Sequence, residues 1–342
     1  MGDKVTAAPV CVDLDGTLIA GDMLWESFVA LFQRSPLAAL QVSFSLAKGR
    51  AHFKKRVAEY VPIDPAALPY RTDLLEELKE LNQQGVPLVL ATATHETYAW
   101  AIADHLKIFQ QVIASDGRRN LSGHQKAASL VERFGERGFD YIGNGWSDVP
   151  VWRAAAGVTV VAGPARLVRQ LTSERSATRV LARRRSTLEA FLTALRPHQW
   201  AKNTLVFVPL VAGLSIPWLN MLASGILTFV AFSLCASATY ILDDISDIQT
   251  DRLDSRKHSG PFASGELSIP AGVAAAGLLL TASLLLAALG VSWLLAAILG
   301  VYVVVSTAHT LRGKQTPAAN VLILTGLHVL RIMAGAVAMD WL

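Results

Sequence analysis

Residues 9–18 read PVCVDLDGTL, an apolar run that ends on two aspartates, Asp13 and Asp15, and a turn glycine, Gly16. An apolar run of that length fits a buried strand. Carboxylates just past it stand at the strand's carboxyl end, where open α/β sheets place their chemistry. Working outward, four more apolar runs follow: VPLVLATAT at 86–94, QVIASDG at 111–117, FDYIGNG at 139–145 and GVTVVAG at 157–163. Helical stretches such as LLEELKELNQQ (74–84) and KAASLVERFGER (126–137) alternate with them. This alternation predicts an α/β fold with a doubly wound parallel sheet. From about residue 20 to 85, before the second run, helical periodicity (LWESFVALF, AHFKKRVAEYV) predicts a helical insertion.

Beyond about residue 190 the chain changes solvent. Of 342 residues, 52% are hydrophobic, more than two ordinary soluble domains carry, and the excess falls in this later part. No residue from Asn203 to Leu242 is charged, and none from Leu267 to Leu311. With breaks at SIPWLN and GVSW, each run accommodates two spans of about 20 residues. A fifth apolar segment, 317–339, contains His328 and Arg331. The expected organisation is a soluble domain over 1–170, a basic amphipathic linker over 171–200, and an all-α transmembrane helix bundle of about five spans over 201–342.

Basic residues cluster at Arg183, Arg184, Arg185, Arg196 and Lys202, at Arg252, Arg256 and Lys257, and at Arg312 and Lys314. With five spans these loops share one face with the soluble domain, which makes that face cytosolic. The first residues hold no apolar core long enough for a secretory signal, so the soluble domain is expected in the cytosol. Net charge is +4. The cations sit in the linker and in short loops rather than in an aromatic-lined groove, which argues against nucleic acid. Between 164 and 200 the arginines either lie on anionic headgroups or only fix topology. Cys11 and Cys235 fall in separate regions, consistent with a reducing compartment, and the histidines show no repeated ligand spacing for zinc.

The first long charge-free run ends in YILDDISDIQTDRLDSRKHSGPFASGEL, 240–267. On a continuing helix Asp244, Asp247 and Asp251 share one face, with Asp243 beside them. Two readings fit: hard oxygens that bind Mg²⁺ and, through it, phosphates, or a solvated helix end paired with Arg252, Arg256 and Lys257.

Asp-x-Asp-Gly-Thr at 13–17 resembles the first motif of the haloacid dehalogenase superfamily of phosphotransferases, and the later motifs follow in matching order and spacing. The resemblance implies that Asp13 is a nucleophile forming an aspartyl phosphate and that Asp15 is the general acid and then base. It also implies that Thr92 and Lys126 hold the phosphoryl oxygens and that Mg²⁺ binds Asp13, the Asp15 carbonyl and Asp148. Asn144 stands where many relatives carry aspartate. Residues 20–85 resemble the helical cap of that superfamily, which closes over a small phosphorylated substrate.

DDISDIQTD (243–251) followed by RKHSGPFASGEL (256–267) resembles the first aspartate-rich motif of UbiA-type membrane prenyltransferases, with Asp243 at the usual Asn and Gly260 at the usual Arg. LRPHQWAKNTLVFVPL (195–210) and LRGKQTPAANVLILTGLHVLRIMAGAVA (311–338) resemble the branch that moves a phosphoribosyl group from phosphoribosyl diphosphate onto a polyprenyl phosphate. This implies Asp243, Asp244, Asp247 and Asp251 as Mg²⁺ ligands, and Lys202, Asn203, Lys257 and Arg331 as phosphate contacts. A buried structural role for Arg331 also fits. The family's second acidic motif and later spans have no counterpart in this sequence. Together the resemblances imply a multi-pass enzyme of the bacterial plasma membrane with a cytoplasmic phosphatase that dephosphorylates the transferase product. Its partners would be a polyprenyl phosphate or diphosphate and phosphoribosyl diphosphate or another small acceptor. Prenyl transfer to an aromatic or lipid acceptor, or a non-catalytic membrane scaffold, are the alternatives.

Overall fold

The computed structural model describes residues 7–174, 178–181, 186–212, 218–312 and 317–339. The chain divides into two compact units, 1–186 with 264–266, and 187–263 with 267–342. Arg183, Arg184, Arg185 and Lys314 lie outside the described residues.

In the first unit the chain runs β1 (Val10–Val12), α1 (Met23–Arg34), α2 (Pro36–Phe44), α3 (Arg50–Tyr60), α4 (Thr72–Gln83), β2 (Leu88–His95), α5 (Glu96–Leu106) and β3 (Gln111–Ser115). It continues through α6 (His124–Phe134), β4 (Asp140–Gly143), α7 (Val149–Ala154), β5 (Val158–Val161), α8 (Ala165–Glu174) and β6 (Thr178–Leu181). The strands form one parallel sheet in the order β3-β2-β1-β4-β5-β6. Each of the five expected apolar runs supplies a strand. Side chains alternate across a strand. Val10 and Val12 therefore join Leu88, Leu90, Leu74 and Leu78 on one face, while Cys11 joins Val89, Tyr141, Leu130 and Trp152 on the other. Both faces are covered, which is why the strands are apolar throughout.

Two boundaries differ from expectation. The linker predicted over 171–200 is partly taken into this unit, since α8 reaches Glu174 and β6 adds a sixth strand. As an edge strand β6 needs only half an apolar face and tolerates charge; Arg179 on it forms an ion pair with Glu77 of α4. The helical cap is also narrower than 20–85. Helices α1 to α3 share a separate small core of Leu31, Ala39, Val42, Val57 and Val61, whereas Leu74 and Leu78 commit α4 to the sheet. Asp22 starts the cap by accepting the Leu24 and Trp25 amides at the N-terminus of α1.

The second unit is helical: α9 (Thr187–Ala194), a 3₁₀ helix (Pro197–Phe207), α10 (Val208–Ala212), α11 (Trp218–Ser246), α12 (Ile248–Leu253), α13 (Ile269–Gly290), α14 (Trp293–Arg312) and α15 (Pro317–Ala338). Among the described residues four stretches are long and apolar enough to cross a membrane: Met221–Ser246, Ile269–Gly290, Trp293–Thr310 and Asn320–Ala338. The first expected span is not among them. Before the SIPWLN break the chain forms 11 residues of 3₁₀ helix and 5 of α-helix instead. At roughly 2.0 and 1.5 Å of rise per residue these cover about 30 Å, close to a hydrocarbon layer. The segment runs antiparallel along α11. Arg196 pairs with Asp244, Trp200 Nε1 donates to Ser237 Oγ at 2.9 Å, and Asn203 Nδ2 donates to Ser233 Oγ at 3.0 Å. Three residues per turn stack Trp200, Asn203 and Val206 on one face, and Asn203 and Val206 are buried there.

Close packing against this segment depends on Gly335 of α15, where an added Cβ would lie 2.0 Å from the Val206 carbonyl oxygen. Gly335→Ala forces the helices apart, and overpacking of this kind costs about 1–3 kcal/mol. The expected result is a lower midpoint of thermal unfolding in detergent for the bundle, read by tryptophan fluorescence, with no change for Gly277→Ala, where the added carbon meets nothing within 4 Å.

Candidate functional site

From β1 the chain winds out to β3 on one side and resumes at β4 on the other, so the order of connection reverses between the neighbours β1 and β4. Such a reversal opens a crevice at the carboxyl ends of the strands. Asp13 leaves β1 there, its backbone N–H donating to the Ile142 carbonyl of β4 at 2.9 Å. Asp148 ends the single 3₁₀ turn that follows β4, and Lys126 enters from the first turn of α6. Gly16, with φ of 75°, turns the chain back, and a Cβ on it would lie 2.1 Å from Asn144 Nδ2. The positive φ favours glycine after the aspartate, and Asn144 would have to shift to admit a side chain there.

Lys126 joins the two carboxylates. Its Nζ donates to Asp13 Oδ1 at 2.7 Å, to the Tyr141 hydroxyl at 2.8 Å and to Asp148 Oδ1 at 3.5 Å. The Tyr141 hydroxyl donates to Asp148 Oδ1 at 2.8 Å, and the backbone N–H groups of Asn144 and Gly145 hold Asp148 Oδ2, both at 3.1 Å. Lys126 and Asp148 are 3% and 1% exposed, so the charges are viable only as a group. Burial pushes the Asp13 carboxyl up to about 7, against the pull of Lys126 and with Asp148 adding to the rise. Burial opposes the charge on Lys126, but Asp13 and Asp148 outweigh it and raise its pKa. Burial and the same two carboxylates hold the Tyr141 phenol well above its ordinary value.

Asp15 sits beside this group with a different set of partners: the Met23 amide donates to Oδ1 at 2.8 Å and the Thr94 hydroxyl to Oδ2. Burial, with Asp22 nearby, raises its carboxyl to about 6. Thr92, expected at the phosphate, is fully buried and its hydroxyl oxygen accepts the Thr94 amide at 3.0 Å. Thr94, two residues along the same strand, is the hydroxyl that reaches an aspartate. Three further residues at the site were not singled out from sequence: Thr94, Tyr141, and Lys54 of the cap. Lys54 Nζ donates to the Ala93 carbonyl at 2.6 Å and to Asn120 Oδ1 at 3.0 Å. A second hydroxyl at period two on β2 was the available signal for Thr94; the other two come from elements whose approach to β1 is tertiary. A cavity of about 530 Å³ lies beside β3, lined by Trp100, Ile113 and Arg133 among others, and touches none of these groups.

Asp13 and Asp148 converge on one positive centre with hard oxygen donors, and Asp13 Oδ2 makes only a long 3.4 Å contact, from the Thr17 hydroxyl. That donor set fits Mg²⁺.

The acids of the second unit behave otherwise. α11 ends at Ser246 and α12 begins at Ile248, with the Asp247 and Asp251 amides still donating to the carbonyls four residues back, at 2.9 and 2.8 Å. The carboxylates take separate partners: Asp243 accepts from the Thr310 hydroxyl at 2.9 Å, Asp244 pairs with Arg196, and Asp251 accepts from Lys257 Nζ at 3.0 Å. Among the described residues no three His, Cys, Asp or Glu side chains gather as a metal cage. Of the four aspartates expected as Mg²⁺ ligands, Asp244 and Asp251 are paired with cations of the chain in this structure. Asn203 and Arg331, expected at the phosphates, bond each other. Arg331 Nε donates to Asn203 Oδ1 at 2.9 Å, Nη1 to the Leu327 carbonyl at 2.6 Å and Nη2 to the Tyr302 hydroxyl at 3.2 Å, and its guanidinium lies 5.2 Å from the Phe232 and Tyr302 ring centroids. Its buried charge is satisfied inside the bundle. Lys202 is exposed.

Residues 10–153 match the model of the haloacid dehalogenase-like hydrolases, and residues 203–341 match that of the UbiA prenyltransferase family. The chain joins one domain of each family. An uncharacterized protein of Sinorhizobium fredii, y4nM, is 33% identical over 330 residues, covering 96% of this chain and 64% of that protein. The decaprenyl-phosphate phosphoribosyltransferase of Mycolicibacterium smegmatis is 32% identical over 164 residues, 46% of this chain and 50% of that protein. Nodulation protein NoeC of Azorhizobium caulinodans is 36% identical over 149 residues, 43% of this chain and 48% of that protein. The chain spans about half to two thirds of the length of these relatives. The match to the UbiA family and the four apolar helices are the features of a membrane protein.

The raised carboxyl of Asp13 has a consequence for the stability of the haloacid dehalogenase-like domain without divalent cations. The folded state holds a proton on Asp13 up to about pH 7, whereas the unfolded chain releases it near 3.8. The folded state therefore binds more protons across that window, and stability falls as pH rises through it. Asp13→Asn removes this contribution, so the variant's melting temperature is expected to decline less between pH 4 and pH 7 than that of the native protein, measured by calorimetry in the presence of a chelator.

Proposed function

We propose that the chain is a membrane transferase with a tethered phosphatase, and that the phosphatase acts on a phosphate monoester made at the membrane. The observation that carries the phosphatase reading is the Asp13–Lys126–Asp148 group at the β1/β4 crevice, with Asp15 next to it under separate control. Two carboxyls with different surroundings suit two roles. Asp13, drawn forward by Lys126, is the nucleophile: its carboxylate oxygen bonds to phosphorus as the ester oxygen leaves. Asp15, whose carboxyl retains a proton to about pH 6, gives that proton to the leaving oxygen. It then takes one from the water that attacks the aspartyl phosphate, returning Asp13 to the carboxylate and releasing inorganic phosphate. Thr94 orients Asp15, and Tyr141 and the Asn144 and Gly145 amides orient Asp148. Mg²⁺ held by Asp13, the Asp15 carbonyl and Asp148 would supply positive charge that lets a carboxylate approach a phosphate.

For the UbiA-family domain the relatives named decaprenyl-phosphate phosphoribosyltransferase favour phosphoribosyl transfer from phosphoribosyl diphosphate to a polyprenyl phosphate. Arg196 and Lys257, each held by an aspartate at the end of α11 or on α12, are cations suited to the diphosphate, with Lys202 as a third. In this reading the transfer product still carries a 5-phosphate, which the tethered domain removes, and the domain lies on the cytoplasmic side of a bacterial plasma membrane. A tether keeps product and phosphatase at high effective concentration.

Membranes containing the full chain, Mg²⁺ and polyprenyl phosphate are expected to incorporate label from phosphoribosyl diphosphate into lipid; incorporation only from an isoprenoid diphosphate would replace this donor. In the same preparation Asp13→Asn is expected to lower hydrolysis of ribose 5-phosphate by roughly three orders of magnitude or more, with label transfer to lipid unchanged. Equal hydrolysis by native and variant protein overturns the phosphatase assignment.

A further inference from the structure

The cap carries more apolar surface than its own packing uses. Helix α2 buries Ala39 and Val42 in the cap core, yet Leu37, Leu40 and Phe44, at i, i+3 and i+7, are 75%, 58% and 73% exposed in the whole chain. Phe32 of α1 and Leu46 after α2 are exposed as well. Apart from Gln41 and Ser43 the helix is apolar, and among the described residues its Ala39–Val42 side is the one packed in the cap core. A soluble protein rarely leaves large apolar residues side by side in this way without something to cover them.

The charge around this face is of one sign. From Ser27 to Ala58 the sequence contains no Asp or Glu, but it contains Arg34, Lys48, Arg50, Lys54, Lys55 and Arg56. Arg34, Lys48, Arg50 and Lys55 are exposed, while Lys54 turns inward to the Ala93 carbonyl and Arg56 pairs with Glu59. Exposed apolar side chains on helices whose charges between residues 27 and 58 are all cationic suit an interface whose interior is hydrocarbon and whose rim is anionic. A second copy of the same face would bring cation against cation. The same chain carries four helices long and apolar enough to cross a bilayer.

We infer that the α1–α3 cap is a membrane-docking surface that seats Leu37, Leu40 and Phe44 among the acyl chains of an anionic bilayer, so that the aspartate site is supplied with phosphate monoesters carried on lipid. The substrate part of this inference rests on the phosphatase reading; the docking part does not. Lys54 connects the two, because one cap helix carries both the basic rim and a lysine that bonds the end of β2, where Thr94 meets Asp15. Cap position and access to the site are thereby coupled.

The two native cysteines are buried, so a spin label at Leu40→Cys reports its own surroundings in the full chain reconstituted into phosphatidylcholine–phosphatidylglycerol vesicles. Relaxation by dissolved oxygen is expected to exceed that by a water-soluble nickel chelate, with the opposite order at Ser173→Cys on the exposed side of α8. A Leu40 label open to the nickel chelate, or shielded from both agents as in a copy-to-copy contact, overturns the docking. The combined Leu37→Glu, Leu40→Glu and Phe44→Glu variant is expected to hydrolyse soluble ribose 5-phosphate as the native protein does and to lose at least about tenfold in kcat/KM, mainly through KM, on polyprenyl-phosphoryl ribose 5-phosphate in vesicles. Equal behaviour on both substrates overturns the lipid-borne substrate. Native protein inactive on both sinks the phosphatase reading and the substrate part with it, while the label still decides docking.

Discussion

Two carboxylates buried at the end of a parallel sheet need a positive partner, and the ammonium of Lys126 supplies it. Without that charge, Asp13 and Asp148 would repel each other in a setting that solvates neither. The lysine is held in turn by Tyr141, and Asp148 by two backbone amides, so the charged group is tied to β4 and to α6 together. Removing one member strands the others, which is the expensive case for buried charge. The same enclosure keeps the carboxyl of Asp13 near neutrality and makes it responsive to whatever enters the crevice.

The membrane unit solves the same problem with different means. Arg331 lies among apolar helices, and its donors are taken by Asn203, Tyr302 and the Leu327 carbonyl, with two aromatic rings against the guanidinium plane. Asn203 can reach it because the entry segment winds as a 3₁₀ helix, with Trp200, Asn203 and Val206 in one line. At the end of α11 and on α12 the acids are likewise matched to Arg196 and Lys257. The buried charges of Lys126, Asp148 and Arg331 all find partners within the chain.

Much of the fold was legible in the primary structure because its periods are strong. Five apolar runs punctuated by glycine and aspartate mark five strands, long charge-free runs mark α11, α13 and α14, and the apolar segment around Arg331 marks α15. β6 escaped because a four-residue edge strand containing arginine carries no apolar signature. The 3₁₀ segment escaped because its apolar content is that of an α-helical span, and only side-chain stacking against α11 distinguishes the two. At the aspartate site Asp13, Asp15, Lys126 and Asp148 were all identifiable in advance. Thr94 was not singled out, because two threonines on one face of a strand look alike in sequence, and its bond to Asp15 is visible only in the fold.

The order of residues alone determined which side chains carry chemistry and which segments prefer hydrocarbon to water, because hydropathy and charge are properties of each residue and its near neighbours. Only the folded chain decided who partners whom. Whether an aspartate meets a lysine, an arginine or a threonine depends on elements brought together from more than a hundred positions away, as with Asp13 and Lys126 or Asn203 and Arg331. Local sequence does not encode such pairings, whereas sheet order and helix packing set them.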